Sequence, residues 1–343
     1  MTSSRPSPPS SASGVRKRDT TWTSLIIGVV ALLTLSVIAL LVGAWPLHVR
    51  TVFSALFGRG DPTVISIVRD LRAPRLLLAA LVGAGLATSG GALQGTLRNP
   101  LAEPYLLGVS GGAAVGAVIA MALGIDQPLA VTIAAFIGAA SATICVSVIA
   151  RMVAGRTDAR MLLMAGVVVG AFANAAILVM LAGVPADRLR GALWWMMGSA
   201  ADATWDGVGR LALAVLVFGG ALIWLARELD VLALGEEPAA ALGADVDKTS
   251  RQIFLLASFL AAATVAAAGL VGFVGLVVPN LARALGVRSH RPMLLLSAVY
   301  GAALLVFADV VARTARAPAE LPLGAITALI GVPFFLARLR KLS

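Results

Sequence analysis

Charge is scarce in this chain: Asp, Glu, Lys and Arg together supply 13% of its 343 residues, about half the share of an average soluble domain. That deficit excludes an ordinary water-facing globular surface. Cysteine occurs once, at Cys145 within an apolar run, so an intrachain disulfide is excluded. The two histidines, His48 and His290, fall in separate loops, and no Cys/His cluster has metal-ligand spacing, so no metal centre is expected. The only lysines are Lys17, Lys248 and Lys341, and none sits in a GxxxxGK[ST] loop, so the chain is no ATPase and draws its energy from a partner or a gradient. Paired carboxylates and nucleophile–base pairs are missing from the apolar segments, which weighs against a membrane-bound enzyme. Asp309 alone is a carboxylate within a span, whereas gradient-driven transporters usually carry several such groups or broken helices. The formal net charge is +10, but no basic stripe is interleaved with aromatics, and nucleic acid is excluded as a partner.

What is present is apolar. Hydrophobic residues make up 59% of the chain, with a mean hydropathy of +0.94. A spanning helix takes roughly 20 such residues. Ten segments qualify, at approximately 25–44, 75–97, 105–122, 128–150, 161–183, 207–226, 253–271, 273–285, 293–312 and 321–337. The expected fold is all-α and polytopic, with membrane lipid as its surroundings; an outer-membrane barrel would show alternating residues instead. Residues 1–20, opening on a Ser/Pro-rich stretch, read as a disordered cytoplasmic tail, and 21–343 as one transmembrane domain. The first run has no small-residue cleavage site at its end, so it is read as an uncleaved span.

An even number of spans puts both termini on one side. With that side cytoplasmic, 17 basic residues lie inside and ten outside, in agreement with the positive-inside rule. The exceptions gather in one external loop: Arg50, Arg59, Arg69, Arg72 and Arg75. Asp309 stands four residues before Arg313, a spacing that puts the two on one helix face as a pair. Glu320 opens the last span just before Pro322, where an acid favours a helix N-terminus. Residues 98–104, Arg-Asn-Pro-Leu-Ala-Glu-Pro, must break the helix on the inner face, because proline lacks the N–H that a helix interior uses. The stretch 234–248 is the longest polar interruption in the second half. It reads as two short cytoplasmic helices joined at Gly243, where glycine permits positive φ.

The segment RAPRLLLAALVGAGLATSGGALQGTLRNPLAEPYLLGVSGGAAVGA at 72–117 resembles the permease subunits of bacterial ABC importers for iron-siderophore complexes, haem and cobalamin, the family often called FecCD. The likeness continues through LWWMMGS at 193–199, LGEEPAAALGADV at 234–246, GLVGFVGLVVPNLAR at 269–283 and ELPLGAITALIGVPFF at 320–335. The resemblance implies the type II importer fold, with ten spans in the cytoplasmic membrane. It implies transport of an iron chelate, siderophore or haem, by alternating access, with cobalamin as the alternative cargo. The implied partners are a cytosolic ATPase dimer that holds ATP and Mg, an extracytoplasmic substrate-binding protein, and a second permease copy or paralogue. No cofactor is implied for this chain.

Residue roles follow from the same resemblance. Arg72, Arg75 and Arg313 match positions that meet carboxylates of the binding protein, as arginine's charge-assisted bonds allow. Asn99 and Leu101 match an inner gate, although Asn before Pro is also ordinary turn chemistry. Leu234, Gly235, Glu236, Ala240, Leu242 and Gly243 fall in the segment that docks on the ATPase. The second inner constriction, near the start of the fifth span, takes no assignment. Where the family commonly reads Pro-His, this chain has Pro279 and Asn280, and Asn does not titrate near neutral pH.

Overall fold

Capping carboxylates and prolines start the helices where the polar connections end. Asp61 accepts from the amide of Thr63 at 2.7 Å, and Pro62 takes the first helical position. Asp158 receives the amide of Arg160 at 2.9 Å and Asp245 that of Lys248 at 3.0 Å. In the computed structural model, which describes residues 12–43, 45–317 and 319–339, the chain is helical with no strand among the described residues.

The helices are α1 (Ala12–Leu41), α2 (Val49–Leu56), α3 (Pro62–Ser66), α4 (Ala73–Thr96), α5 (Val109–Ala122), α6 (Pro128–Ala154), α7 (Ala159–Ala182) and α8 (Ala186–Met197). They continue with α9 (Trp205–Ala214), α10 (Gly220–Trp224), α11 (Ala226–Leu232), α12 (Glu236–Ala241), α13 (Val246–Ala268), α14 (Val274–Ala284), α15 (His290–Thr314) and α16 (Leu323–Leu339). A π-helical turn at Ile67–Arg72 fuses α3 to α4, and another at Val215–Gly219 fuses α9 to α10.

Seven helical stretches are long and apolar enough to cross a membrane, and three shorter apolar ones, Val109–Ala122, Val274–Ala284 and Leu323–Ala337, bring the number to ten. Each of the ten expected segments therefore has its helix. Three expectations change. The helix of the first span begins at Ala12, inside the stretch assigned to the tail; residues 1–11 lie outside the described ones. The second span extends back to Pro62, because the π turn carries the helix through Arg69 and Arg72 instead of ending it in a loop. The pair of short helices expected at 234–248 is one six-residue helix, α12. After Gly243 at φ +82° the chain enters α13 directly, since nothing breaks the helix beyond the Asp245 cap.

The core is built around α4, whose residues 85–97 are all buried. A helix covered on every side must be apolar or small on every side, which explains its run of Gly, Ala, Ser and Thr. Gly83 lies so close to the backbone of Gly301 in α15 that a Cβ would strike its carbonyl, and Gly90 meets Gly275 of α14 in the same way. In lipid no hydrophobic drive pulls helices together, so such contacts supply the packing.

The short helices α5 and α14, of 14 and 11 residues, span only about 21 and 17 Å at 1.5 Å per residue. Irregular backbone completes each crossing: a 3₁₀ turn at Pro104–Leu107 before α5, and before α14 a non-helical run at 269–273 bounded by Gly269 and Phe273, both at positive φ. Such backbone survives at depth only when protein covers it, and Ala102, Leu107 and Val271 are indeed buried. By contrast, α7 leaves one side uncovered. Gly170 has nothing within 4 Å of its missing Cβ, and the amide side chain of Asn174 is exposed beside Phe172 and Leu178.

Candidate functional site

Polar side chains collect at the two ends of the bundle. At one end, Arg72 and Arg75, neighbours on one continuous helix, come together with Arg313 of α15, 238 positions beyond Arg75 in the sequence. Their guanidinium groups turn inward. Nη1 of Arg72 donates to the carbonyls of Leu40 at 2.7 Å and Leu41 at 3.1 Å, and its Nη2 to Trp45. Arg313 donates to the carbonyl of Ala39. These carbonyls belong to the last turn of α1 and to the chain just after it, where a helix leaves acceptors without partners and favours positive charge.

Arg75 reaches across to two carboxylates. Its Nε and Nη2 donate to Asp309 at 2.9 and 2.8 Å, while Nη1 and Nη2 donate to Glu320 at 2.7 and 3.0 Å. The pair expected within α15 is the weaker one, since Nε of Arg313 lies 3.5 Å from Asp309. Glu320, read as a helix-start acid, also joins α16 to α4 through Arg75. Exposed cations at this end include Arg50, Arg59, Arg69 and Arg316.

A groove of about 740 Å³ opens nearby, lined by Trp194, Trp195, Phe218 and Leu129, with Asp202 and Arg210 among its polar residues. Leu129 and Ile133 on its α6 side are exposed, so the groove is continuous with the apolar exterior of the bundle.

The opposite end holds the expected inner gate and coupling segment. Asn99 makes a tight turn, its Oδ1 accepting from the amide of Leu101 at 2.9 Å, and leaves the Leu101 side chain exposed. Asn280 donates from Nδ2 to the carbonyls of Pro100 at 3.0 Å and Leu276 at 2.8 Å. This non-titrating residue therefore ties α14 to the 98–104 connection. One further bond does the same, Glu103 Oε1 accepting from the Phe273 amide at 2.6 Å; α14 is also tied to α4, where Gln94 donates to the Gly275 carbonyl at 3.0 Å and accepts from Arg283, which donates as well to Asn280 within α14.

Glu236, at the start of α12, receives Arg98 on Oε1 at 2.8 Å and Arg156 on Oε2 at 2.7 Å. That carboxylate holds the Arg156 guanidinium above its ordinary pKa. Gly235 precedes it at φ +111°, a geometry open to glycine but strained for other residues. Asp247 accepts from the Thr157 amide, fixing the start of α13 to the α6–α7 connection. Leu234 and Leu242 are exposed and Ala239 is buried, so α12 presents an apolar surface beside its charged start. On the neighbouring α11, Asp230 takes the amide of His290 at 2.8 Å, its ring Nδ1 at 2.7 Å and Ser289 Oγ at 2.8 Å. Burial alone would raise this carboxyl, but the three bonds outweigh it and hold Asp230 below the ordinary 3.8.

Sequence reasoning took Arg98 and Arg156 only as part of the cytoplasmic charge bias. Their partner lies 138 and 80 positions away, and the one available signal was a lone acidic pair, Glu236–Glu237, opposite two basic loops. Glu103 and Gln94 carried no signal of their own.

Comparison with known proteins bears on this arrangement. The profile of the FecCD transport family matches residues 31–341. The cobalamin import system permease protein of Halobacterium salinarum is 46% identical over 301 residues, covering 86% of this chain and 79% of that one. The hemin transport system permease protein of Yersinia pestis is 38% identical, covering 86% and 88%. Among solved structures, a metal-chelate type ABC transporter in an inward-facing conformation superposes with a TM-score of 0.83 at 29% identity, covering 92% of this chain and 98% of that chain.

Proposed function

Because the chain belongs to the FecCD transport family, we propose that it is the membrane-spanning subunit of an ATP-driven importer that carries an iron chelate, siderophore or haem, across the cytoplasmic membrane. The observation that carries this reading is the match of nearly the whole bundle to a metal-chelate type transporter. Two features of the chain support it. It has no phosphate-binding loop of its own, so ATP and Mg belong to a separate cytosolic ATPase pair. It also leaves one side of α7 uncovered, with the Asn174 amide facing out, a side suited to a second permease copy or a paralogue across a shared pathway, because an exposed amide is costly in lipid. In this reading both termini are cytoplasmic, α12 and its flanks meet the ATPase, and the Asn99–Leu101 turn closes the inner mouth.

The docking role of Arg72, Arg75 and Arg313 belongs to the same reading. For them to meet carboxylates of a binding protein, the bonds to Asp309, Glu320 and the end of α1 must exchange. Replacing Arg72 and Arg313 with Glu is expected to weaken binding-protein affinity and alter its salt dependence; unchanged values for both would remove the assignment.

Cobalamin is the second reading, favoured by the 46% identity to an archaeal cobalamin permease. Tagged purification from the native membrane in mild detergent, with mass spectrometry of the bound proteins, tests the importer. Recovery of an ATPase subunit is expected, and repeated recovery of the folded chain alone would overturn the reading. Vesicles reconstituted with the recovered partners, and supplied with ferric siderophore, haemin or cyanocobalamin, then separate the cargoes by which one accumulates.

A further inference from the structure

The bonds at the Glu236 end divide it into two groups. One comprises the 98–104 connection and α14, joined through Glu103–Phe273 and Asn280–Pro100, with α14 held in turn to α4 through Gln94–Gly275 and Arg283–Gln94. The other is the α6–α7 connection, which Asp158 caps from within and Asp247 fixes to α13. Each group holds its own shape. Glu236 stands between them with one carboxylate oxygen on each, and Arg98 meets it from a left-handed backbone, φ +49°. A non-glycine residue keeps that conformation only where its surroundings impose it.

We propose that the Glu236 carboxylate is a positioning residue that makes the two connections follow α12 together, so that one displacement of the coupling segment moves the Asn99–Leu101 turn and the start of α7 as a unit. This rests on the reading that α12 meets the ATPase. The geometry is that of a fork. A single anion with two cations on separate segments fixes their spacing, whereas two independent pairs would let them part. Both arms are exposed to solvent, so each contributes little to stability. Loss of the fork is therefore expected in the spacing of the two connections and not in the fold.

The test uses the complete importer in nanodiscs, with spin labels on Leu101→Cys and Arg160→Cys in a Cys145→Ser background, free and trapped with ATP, Mg and vanadate. With Glu236 present, the label separation stays in one narrow distribution in both states. With Glu236→Gln, a second, longer distance enters on trapping. Arg98→Gln and Arg156→Gln each reproduce it, and neither adds to Glu236→Gln. The arginine variants carry the test where Glu236→Gln loses the ATPase subunit. A distribution as narrow in all three variants as in the native chain overturns the inference while leaving the coupling role of α12 standing. Failure of the native chain to retain the ATPase overturns that role, and the inference with it.

Discussion

Replacing Arg75 with methionine probes the charge arrangement that joins α4, α15 and α16. Asp309 is almost wholly buried, with its side chain 5% exposed, and Arg75 supplies its closest contacts, at 2.8 and 2.9 Å. Methionine keeps much of the volume of the arginine stem and removes the charge. Breaking a buried pair by deleting one partner typically costs about 3–5 kcal/mol, because the other charge is left without compensation. Arg313, at 3.5 Å from Asp309, takes up part of that role, so a loss near the lower end, about 3 kcal/mol, is expected. The second pair, with the more exposed Glu320, adds under about 1 kcal/mol. For a chain of this length a loss of about 3–4 kcal/mol corresponds to a fall in Tm of roughly 4–6 °C, readable from the fluorescence of its six tryptophans in detergent. The double variant Arg75→Met/Asp309→Leu should recover most of the fall, because it removes both charges from the interior. A single variant that melts with the native protein, or a double variant that melts below the single one, refutes the argument.

Two more predictions concern other contacts. Gly90→Val drives a branched side chain into the carbonyl of Gly275, and a loss of at least about 1–3 kcal/mol is expected, visible as a lower Tm; an unchanged Tm would mean that α4 and α14 are not in close contact. Asp230 has its pKa lowered by the His290 and Ser289 bonds, so its stabilising contribution is fully present above the ordinary carboxylate value and is lost as pH falls through the lower, folded one. Asp230→Asn should therefore lower Tm at pH 7, and the gap to the native chain should close below about pH 3.8. A gap independent of pH would assign the loss to packing instead.

The spans were legible because their signal is local. Each of the ten apolar segments has a helix, and the prolines at 100 and 104 marked the break before α5. The segment between the first two spans was less so. Residues 49–72 read as loop, with four arginines in it and Arg75 just beyond, yet they form α2, α3 and a π turn, because the Asp61–Pro62 start and the apolar face of Val52, Ala55 and Val68 outweigh the polar residues around them. The short α8 was hidden in the same way between two spans. At the sites, the resemblance located Arg72, Arg75, Arg313 and Glu236 but not their partners. Arg75 and Glu320 are 245 positions apart, and Arg98 and Glu236 are 138 apart. No periodicity links such pairs; only the packing of α4 against its neighbours brings them together.

The fastening of α1 has a consequence for the order in which the molecule is made. This helix is synthesised before the segments that fasten it, little of it is buried, and its last carbonyls receive donors from Arg72 and Arg313. The first donor is synthesised soon afterwards, 32 residues beyond Leu40; the second lies 274 residues beyond Ala39. Contacts so distant in sequence close late. The outer end of α1 is thus fully fastened only once residue 313 has been made, and a nascent chain arrested before it should keep the Arg72 bonds at that end and lack the one to Ala39.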